Sequence, residues 1–406
     1  MIEFRKFILN NGLRVIVHED RSTPLVAMNI LYDAGSKDED PDLTGLAHLL
    51  EHLMYGGSAN IPEYDTPLQL AGGDNNAFTN NDITNYYLTI PSENVETAFW
   101  LESDRMLDPD FTQKKTEIQK NVVIEEFRQR YLNQPYGDVM LILRSLAYTM
   151  HPYRWPTIGM DISHIERITN ENVRQFFNSN YAPQKAILSL AGNIDAARAF
   201  NLADKWFGSI PGRQADARNL PPEPEQDKAR EITVRRNVPS DALYKAWHIG
   251  PRTADDFYTL DLLTDLLAGG ESGRLHNRLV RDLNLFSEIN AYITSDFDPG
   301  LAVISGKLMK GVDIETAENE LIRVVEELKD GAVSDKEIEK VKNRYETSTV
   351  LSNTNILHKA MNLCVYELLG NADMINMDVV NYRKVNRPLV SDSAIRYFRP
   401  ENCSTL

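Results

Sequence analysis

Two leucine-rich runs, each closing on Gly-Gly, constrain what this 406-residue chain can fold into. In the first, Leu46, Leu49, Leu50, Leu53 and Met54 recur at helical spacing, and Gly56-Gly57 follows as a stop. In the second, Leu262, Leu263, Leu266 and Leu267 precede Gly269-Gly270. With the glycine pairs aligned, these four leucines fall over Leu49, Leu50, Leu53 and Met54. A repeated helix in a chain too long for one core predicts a duplication. We expect an α+β protein: two homologous α/β domains in tandem, each a mostly antiparallel sheet packed with helices. Pro211, Pro221, Pro222 and Pro224 stand among charged residues over 211–231, which predicts an extended linker between domains at 1–210 and 232–406.

Around the turn Asn10-Asn11-Gly12, residues 4–9 and 13–18 read as paired strands, and 26–32 as a third. A short helix at 65–71 precedes a long strand region at 75–90. Helices follow at 92–107, 112–131, 138–148, 170–180 and 196–207, with a strand at 186–192. The second half opens with strands at 232–237 and 243–249, so element order also repeats.

The first run carries chemistry that the second lacks. His48 and His52 are four apart, so on a helix both rings share one face with Cβ atoms roughly 5–6 Å apart. That suits one zinc ion at about 2.0–2.1 Å from each ring. Glu51 lies beside them, placed to take a proton from a water molecule. The alignment puts Asp261, Thr264 and Asp265 where His48, Glu51 and His52 stand, so a single metal site is expected, in the first half. The remaining histidines (His18, His151, His164, His248, His276 and His358) lack ligand spacing. A third ligand is better sought in Glu125 or Glu126, which follow an apolar Val-Val-Ile run on the helix at 112–131. Only one of the two can face a given target, and periodicity leaves the choice open.

Composition excludes several classes. A net charge of −16 argues against nucleic acid and anionic membrane as main partners. No window approaches 18 consecutive apolar residues and residues 1–10 lack a signal-peptide core, so a cytoplasmic protein is expected. Cys364 and Cys403 imply neither a disulfide framework nor a zinc pattern.

The inverted His-x-x-Glu-His motif with its Gly56-Gly57-Ser58 tail does not stand alone. Gly72-Gly73-Asp74-Asn75-Asn76-Ala77-Phe78-Thr79 and Asn121-Val122-Val123-Ile124-Glu125-Glu126 follow in order. Together with the two-half layout, they resemble the pitrilysin family of zinc metallopeptidases in its short two-domain form. That family includes insulin-degrading enzyme and the mitochondrial processing peptidase. The resemblance implies that His48, His52 and Glu126 hold one Zn2+ and that Glu51 is the general base of a metalloendopeptidase acting on short or unfolded peptides. It implies that Asn76, Ala77 and Phe78 form an edge strand for an extended substrate, with Arg281 a further substrate-binding residue. Two positions depart from the family pattern. Gln119 stands where a glutamate is common, and Glu288 (or Ser287) where a tyrosine partners the arginine, with Tyr292 further on. Short members work as pairs enclosing a chamber. The resemblance therefore implies a homodimer, or a heterodimer with a related subunit that supplies an Arg–Tyr pair. The alternative is a non-catalytic or partner-dependent subunit of a heterodimeric processing peptidase.

Overall fold

The computed structural model describes residues 1–213 and 218–406; of the expected linker, 214–217 lie outside the described residues. The chain forms two compact units. The first comprises Met1–Gln129, Trp155–Leu220 and Val350–Asn376, and the second Arg130–Arg154, Pro221–Thr349 and Met377–Leu406.

The first unit is built on a six-stranded sheet. Its strands are β1 (Arg5–Ile8), β2 (Arg14–Glu19), β3 (Leu25–Tyr32), β4 (Asp74–Thr79), β5 (Thr84–Pro91) and β6 (Ala186–Gly192). They lie in the order β1-β2-β6-β3-β5-β4, antiparallel except for β2 with β6. β3 and β6 are buried at nearly every position, as expected of central strands covered on both faces. On one face Ala27 and Ala191 meet Ala360 of the helix Ile356–Leu368. These small side chains admit the helix so closely that the Cys364 thiol lies 3.4 Å from the Ile187 carbonyl. Strand alternation sends Tyr32 to the opposite face, among Tyr86, Tyr181 and the motif region.

The second unit repeats this plan with β7 (Arg230–Glu231), β8 (Ala242–His248), β9 (Phe286–Ile293), β10 (Leu301–Leu308) and β11 (Cys403–Thr405). Their order is β7-β11-β8-β10-β9, with β7 and β11 parallel and the rest antiparallel. Taken in chain order, β7 to β11 reproduce β2 to β6 in both neighbours and direction. The duplication read from the leucine runs is thus a duplication of sheet topology, and the α+β class holds.

Three expectations need correcting. The region 75–90 is a hairpin, β4 and β5, because Asn80 turns the chain; its side chain takes the N–H groups of Asp82 and Ile83. Residues 232–237 form no strand, since pairing with β11 ends at Glu231. The compact units also depart from the boundaries 1–210 and 232–406. The helix Val139–Ala147 packs on β7, β8 and β11, and Ile356–Leu368 packs on β3 and β6. Each half of the chain thus contributes a helix to the sheet built by the other half, because each sheet has a second apolar face to cover. Local periodicity cannot reveal which sheet an amphipathic helix will cover.

One ion pair in the second unit gives a pH test of stability. Glu337 accepts hydrogen bonds from the Ser334 N–H (2.9 Å) and hydroxyl (2.8 Å) and from Arg274 Nε (2.8 Å) and Nη2 (3.1 Å). Burial pushes its carboxyl up, but these donors outweigh burial and hold it at about 2. A carboxyl depressed by folding contributes stability above its unfolded pKa of ~4.3 and loses it as pH falls toward 2. Glu337→Gln is expected to cost about 1–2 kcal/mol at pH 7 after allowing for solvent screening. Urea unfolding at intervals from pH 7 to 3 should find that difference shrinking as pH falls; a constant difference would rule out the ionised contact.

Candidate metal centre

The motif helix runs Leu46–Leu53, and its start is tightly fixed. Gly45 has φ +94°, and a Cβ there would lie 2.7 Å from the Ile158 carbonyl oxygen, so only glycine fits. Glu39 supplies the cap: its carboxylate accepts the N–H groups of Gly45 (3.0 Å) and Ala47 (2.8 Å), satisfying donors a helix start leaves open. Burial pushes that carboxyl up to about 8 even though the helix N–H groups favour its charged form. Leu46, Ala47, Leu49, Leu50 and Leu53 are buried, which turns His48, Glu51 and His52 to the half-buried face. Gly57, at φ +99°, serves the turn four residues past the end of the helix rather than its immediate end.

The long helix Gln113–Phe127 packs against this one and brings in a carboxylate. His48 Nε2 and His52 Nε2 are 3.3 Å apart, and Glu126 Oε2 lies 3.7 Å from the first and 3.5 Å from the second. Two ligand atoms about 2.0–2.1 Å from a tetrahedral ion lie about 3.3–3.4 Å from one another, so the triangle has the right size. Its chemistry agrees. Two ring nitrogens and a carboxylate oxygen turned on one point repel unless a cation sits among them. The three side chains are 14%, 25% and 19% exposed, leaving one side open for a further ligand. Among the described residues no other group of three or more His, Cys, Asp or Glu side chains converges in this way. Glu125 points elsewhere: it is exposed and pairs with Arg128. The choice that periodicity left open thus falls geometrically to Glu126. Gln119, one heptad earlier, is half-buried on the Glu126 face of the helix.

Glu51 is not part of the triangle. Its Oε2 accepts a 2.6 Å hydrogen bond from the Thr79 hydroxyl at the end of β4. Burial raises its carboxyl pKa, with the Thr79 bond opposing. In the second unit, the helix Phe257–Ala268 holds the corresponding residues without any such convergence. There Asp261 accepts from the Tyr382 hydroxyl at 2.5 Å, Asp265 lies 3.8 Å from Arg344, and Thr264 bonds the Asp261 carbonyl.

Asn76, Ala77 and Phe78 lie on β4, which among the described residues pairs with β5 alone and ends the sheet, leaving its outer edge without a strand partner there. The Ala77 N–H is taken by the Asn76 side chain at 2.8 Å. Arg281 is in the second unit, on the short helix His276–Asp282, 65% exposed and bonded to Asp282. Glu288 lies on β9, the corresponding outer strand, where it pairs with Lys307 at 3.1 Å. Tyr292 is four residues further along the same strand, with its hydroxyl 3.9 Å from Met140 Sδ.

Sequence reasoning missed three supports. Thr79 and Glu39 carry no local signal, since each acts across a loop. The third is Arg105, 1% exposed, which bonds Glu102 at 2.8 and 2.7 Å between the rings of Tyr64 and Tyr86. Its Glu-x-x-Arg spacing was legible on the helix Val95–Leu107, but such pairs are common on helix surfaces.

Comparison with known proteins agrees with this geometry. Residues 14–160 match the family described as Insulinase (Peptidase family M16), and 167–345 match the Peptidase M16 inactive domain. Zinc protease PqqE of Helicobacter pylori is 29% identical over 82% of this chain and 76% of its own length. The mitochondrial-processing peptidase subunit beta of Saccharomyces cerevisiae is 23% identical over 94% of this chain and 88% of its own. A solved protease from Helicobacter pylori superimposes with a TM-score of 0.94 at 25% identity, covering 100% of this chain and 99% of that one. Pitrilysin shares the fold at a TM-score of 0.76, with this chain matching 44% of it. Two M16 domains in succession, an inverted motif on the helix of the first and none on that of the second place this chain in the M16 family of metallopeptidases, the family of pitrilysin, in its short two-domain form.

Proposed function

We propose that this chain is a zinc-dependent endopeptidase that hydrolyses short or unfolded peptides. The observation that carries the reading is the triangle of His48, His52 and Glu126 with the Glu51 carboxylate beside it. When bound, Zn2+ supplies a Lewis acid for the scissile carbonyl and lowers the pKa of water at the open position toward ~7. Glu51 would take a proton from the attacking water and return it to the amine nitrogen as the C–N bond breaks. His48 and His52, through Nε2, and Glu126, through Oε2, would hold the metal. The substrate lies extended on the open edge of β4, held by main-chain hydrogen bonds at Asn76, Ala77 and Phe78. Asn76 would have to release the Ala77 N–H as substrate enters. Arg281 contributes a positive charge to substrate binding.

Each chain carries one such site, and the working form is a dimer. The name of the yeast relative, a processing-peptidase subunit, favours a related but different partner. So does Glu288, an acid salt-bridged to Lys307 at the family's tyrosine place. A homodimer using Arg281 alone is the competing form. Among the described residues no helix is long and apolar enough to cross a membrane.

The test is hydrolysis of an unstructured, internally quenched peptide by the purified chain with zinc. Turnover by the chain alone would establish a self-sufficient peptidase and make the homodimer its form. Turnover only after adding a related subunit that carries the Arg–Tyr pair would establish the heterodimer. No cleavage in either case would leave a metal-binding subunit and overturn the enzymatic reading.

A further inference from the structure

We propose that Thr79 is a positioning residue for the proton-transfer step, an inference that rests on Glu51 being the general base. Thr79 is the last residue of β4 and faces Thr84 across the β4–β5 pair. Its hydroxyl has a single proton and two acceptors within reach: Glu51 Oε2 at 2.6 Å and Thr84 Oγ1 at 3.4 Å. Thr84 spends its own proton on the Ala34 carbonyl at 2.9 Å, so it turns a lone pair toward Thr79 and offers no competing donor to the carboxylate. The charged acceptor at the shorter distance takes the Thr79 proton. Glu51 is therefore held by a residue of a strand rather than of its own helix.

That strand is also the one whose free edge would hold the peptide. Without the grip, a glutamate side chain on a half-buried helix face samples several rotamers. With it, Oε2 is committed to Thr79, and proton acceptance falls to the other oxygen at a fixed height above the β4 edge. The peptide seat and the base are thus joined through a single residue. A misplacement of about 1 Å at a reacting group commonly costs on the order of 100-fold in rate, so the joint matters to turnover and not to affinity. A threonine on an exposed strand edge would ordinarily give its hydroxyl to solvent; this one is half-buried and directed at the carboxylate.

The experiment compares Thr79→Val and Thr79→Ser with the parent, as full-length zinc-loaded chains, together with whatever partner activity requires. The probe is the quenched peptide, and bound zinc per chain is measured alongside. Thr79→Val keeps size and β-branching but has no proton to donate. We expect its kcat to fall roughly 10- to 100-fold with KM within about twofold and zinc unchanged. Thr79→Ser should recover to within about threefold of the parent. A Thr79→Val chain with parental kcat, a change confined to KM, loss of zinc, or a serine variant no faster than the valine variant would each overturn the assignment. Glu51→Gln, run in parallel, separates the two ideas. If Glu51→Gln is inactive while Thr79→Val is fully active, the base stands and the positioning role falls. If Glu51→Gln turns over like the parent, the base itself is wrong.

Discussion

Glu51→Gln is expected to leave one zinc per chain while cutting peptide turnover by about 100- to 10,000-fold, the range over which a positioned general base contributes. The substitution is well suited to the question because little else changes. Glutamine has the same length, and its amide oxygen can still accept the Thr79 hydrogen bond now made to Oε2. His48, His52 and Glu126 keep the distances that make their triangle, since those distances run between Nε2, Nε2 and Oε2 of the three side chains themselves. Burial already raises the Glu51 carboxyl, which means the charged form is the costly one at this place. A neutral amide therefore carries no folding penalty, and thermal stability should stay level or rise slightly. Lost turnover with full zinc content and an intact melting transition isolates proton transfer. A parental kcat would remove Glu51 from the mechanism, and lost zinc would mean that it holds the metal site together instead.

How much of this was legible beforehand depends on the range over which each signal acts. The motif helix, the helices Asn170–Asn180 and Ala196–Phe207 and strand β6 were read from local periodicity and lie where it placed them. The duplication was legible as well, from four leucines and two glycines, and the equivalent strand orders of the two sheets bear it out. Its consequence was not legible: Ile356–Leu368 crosses to the first sheet because Ala27 and Ala191 leave room there, a fact of packing with no trace in helix periodicity. The hairpin within 75–90 was hidden because β4 and β5 are both strand-like and only the Asn80 side chain marks the turn. At the site the four motif residues could be named, but what holds them could not. Glu39 caps a helix six residues away, and Thr79 reaches Glu51 across 28 positions. Sequence spacing names ligands when they share one helix; their supports come from loops and strand ends, where spacing carries no geometry.

The choice between Glu125 and Glu126 shows how such a geometry can be tested without any assay of activity, through zinc-linked stability. A ligand that binds only the folded state stabilises it by RT ln(1 + [L]/Kd), about 4 kcal/mol at a thousandfold excess over Kd. The parent should therefore melt at a markedly higher temperature with zinc than with chelator. His52→Ala removes one of three ligand atoms and is expected to lower zinc affinity by well over about 100-fold, since even outer partners of metal ligands are worth 10- to 100-fold. Its zinc-dependent rise in melting temperature should disappear at micromolar zinc. Stability in chelator should hardly move, because His52 is a quarter exposed and its ring nitrogen is crowded at 3.3 Å by that of His48 when no cation separates them. Glu126→Ala should behave the same way. Glu125→Ala should not, because an exposed pair with Arg128 is worth at most about 1 kcal/mol and touches no metal. If Glu125→Ala lost the zinc-dependent rise while Glu126→Ala kept it, the long helix would have to rotate by about 100° in the zinc-bound protein, the angle between successive helical residues. Full zinc occupancy in His52→Ala would end the case for the triangle altogether, because the motif helix has no third histidine to replace it.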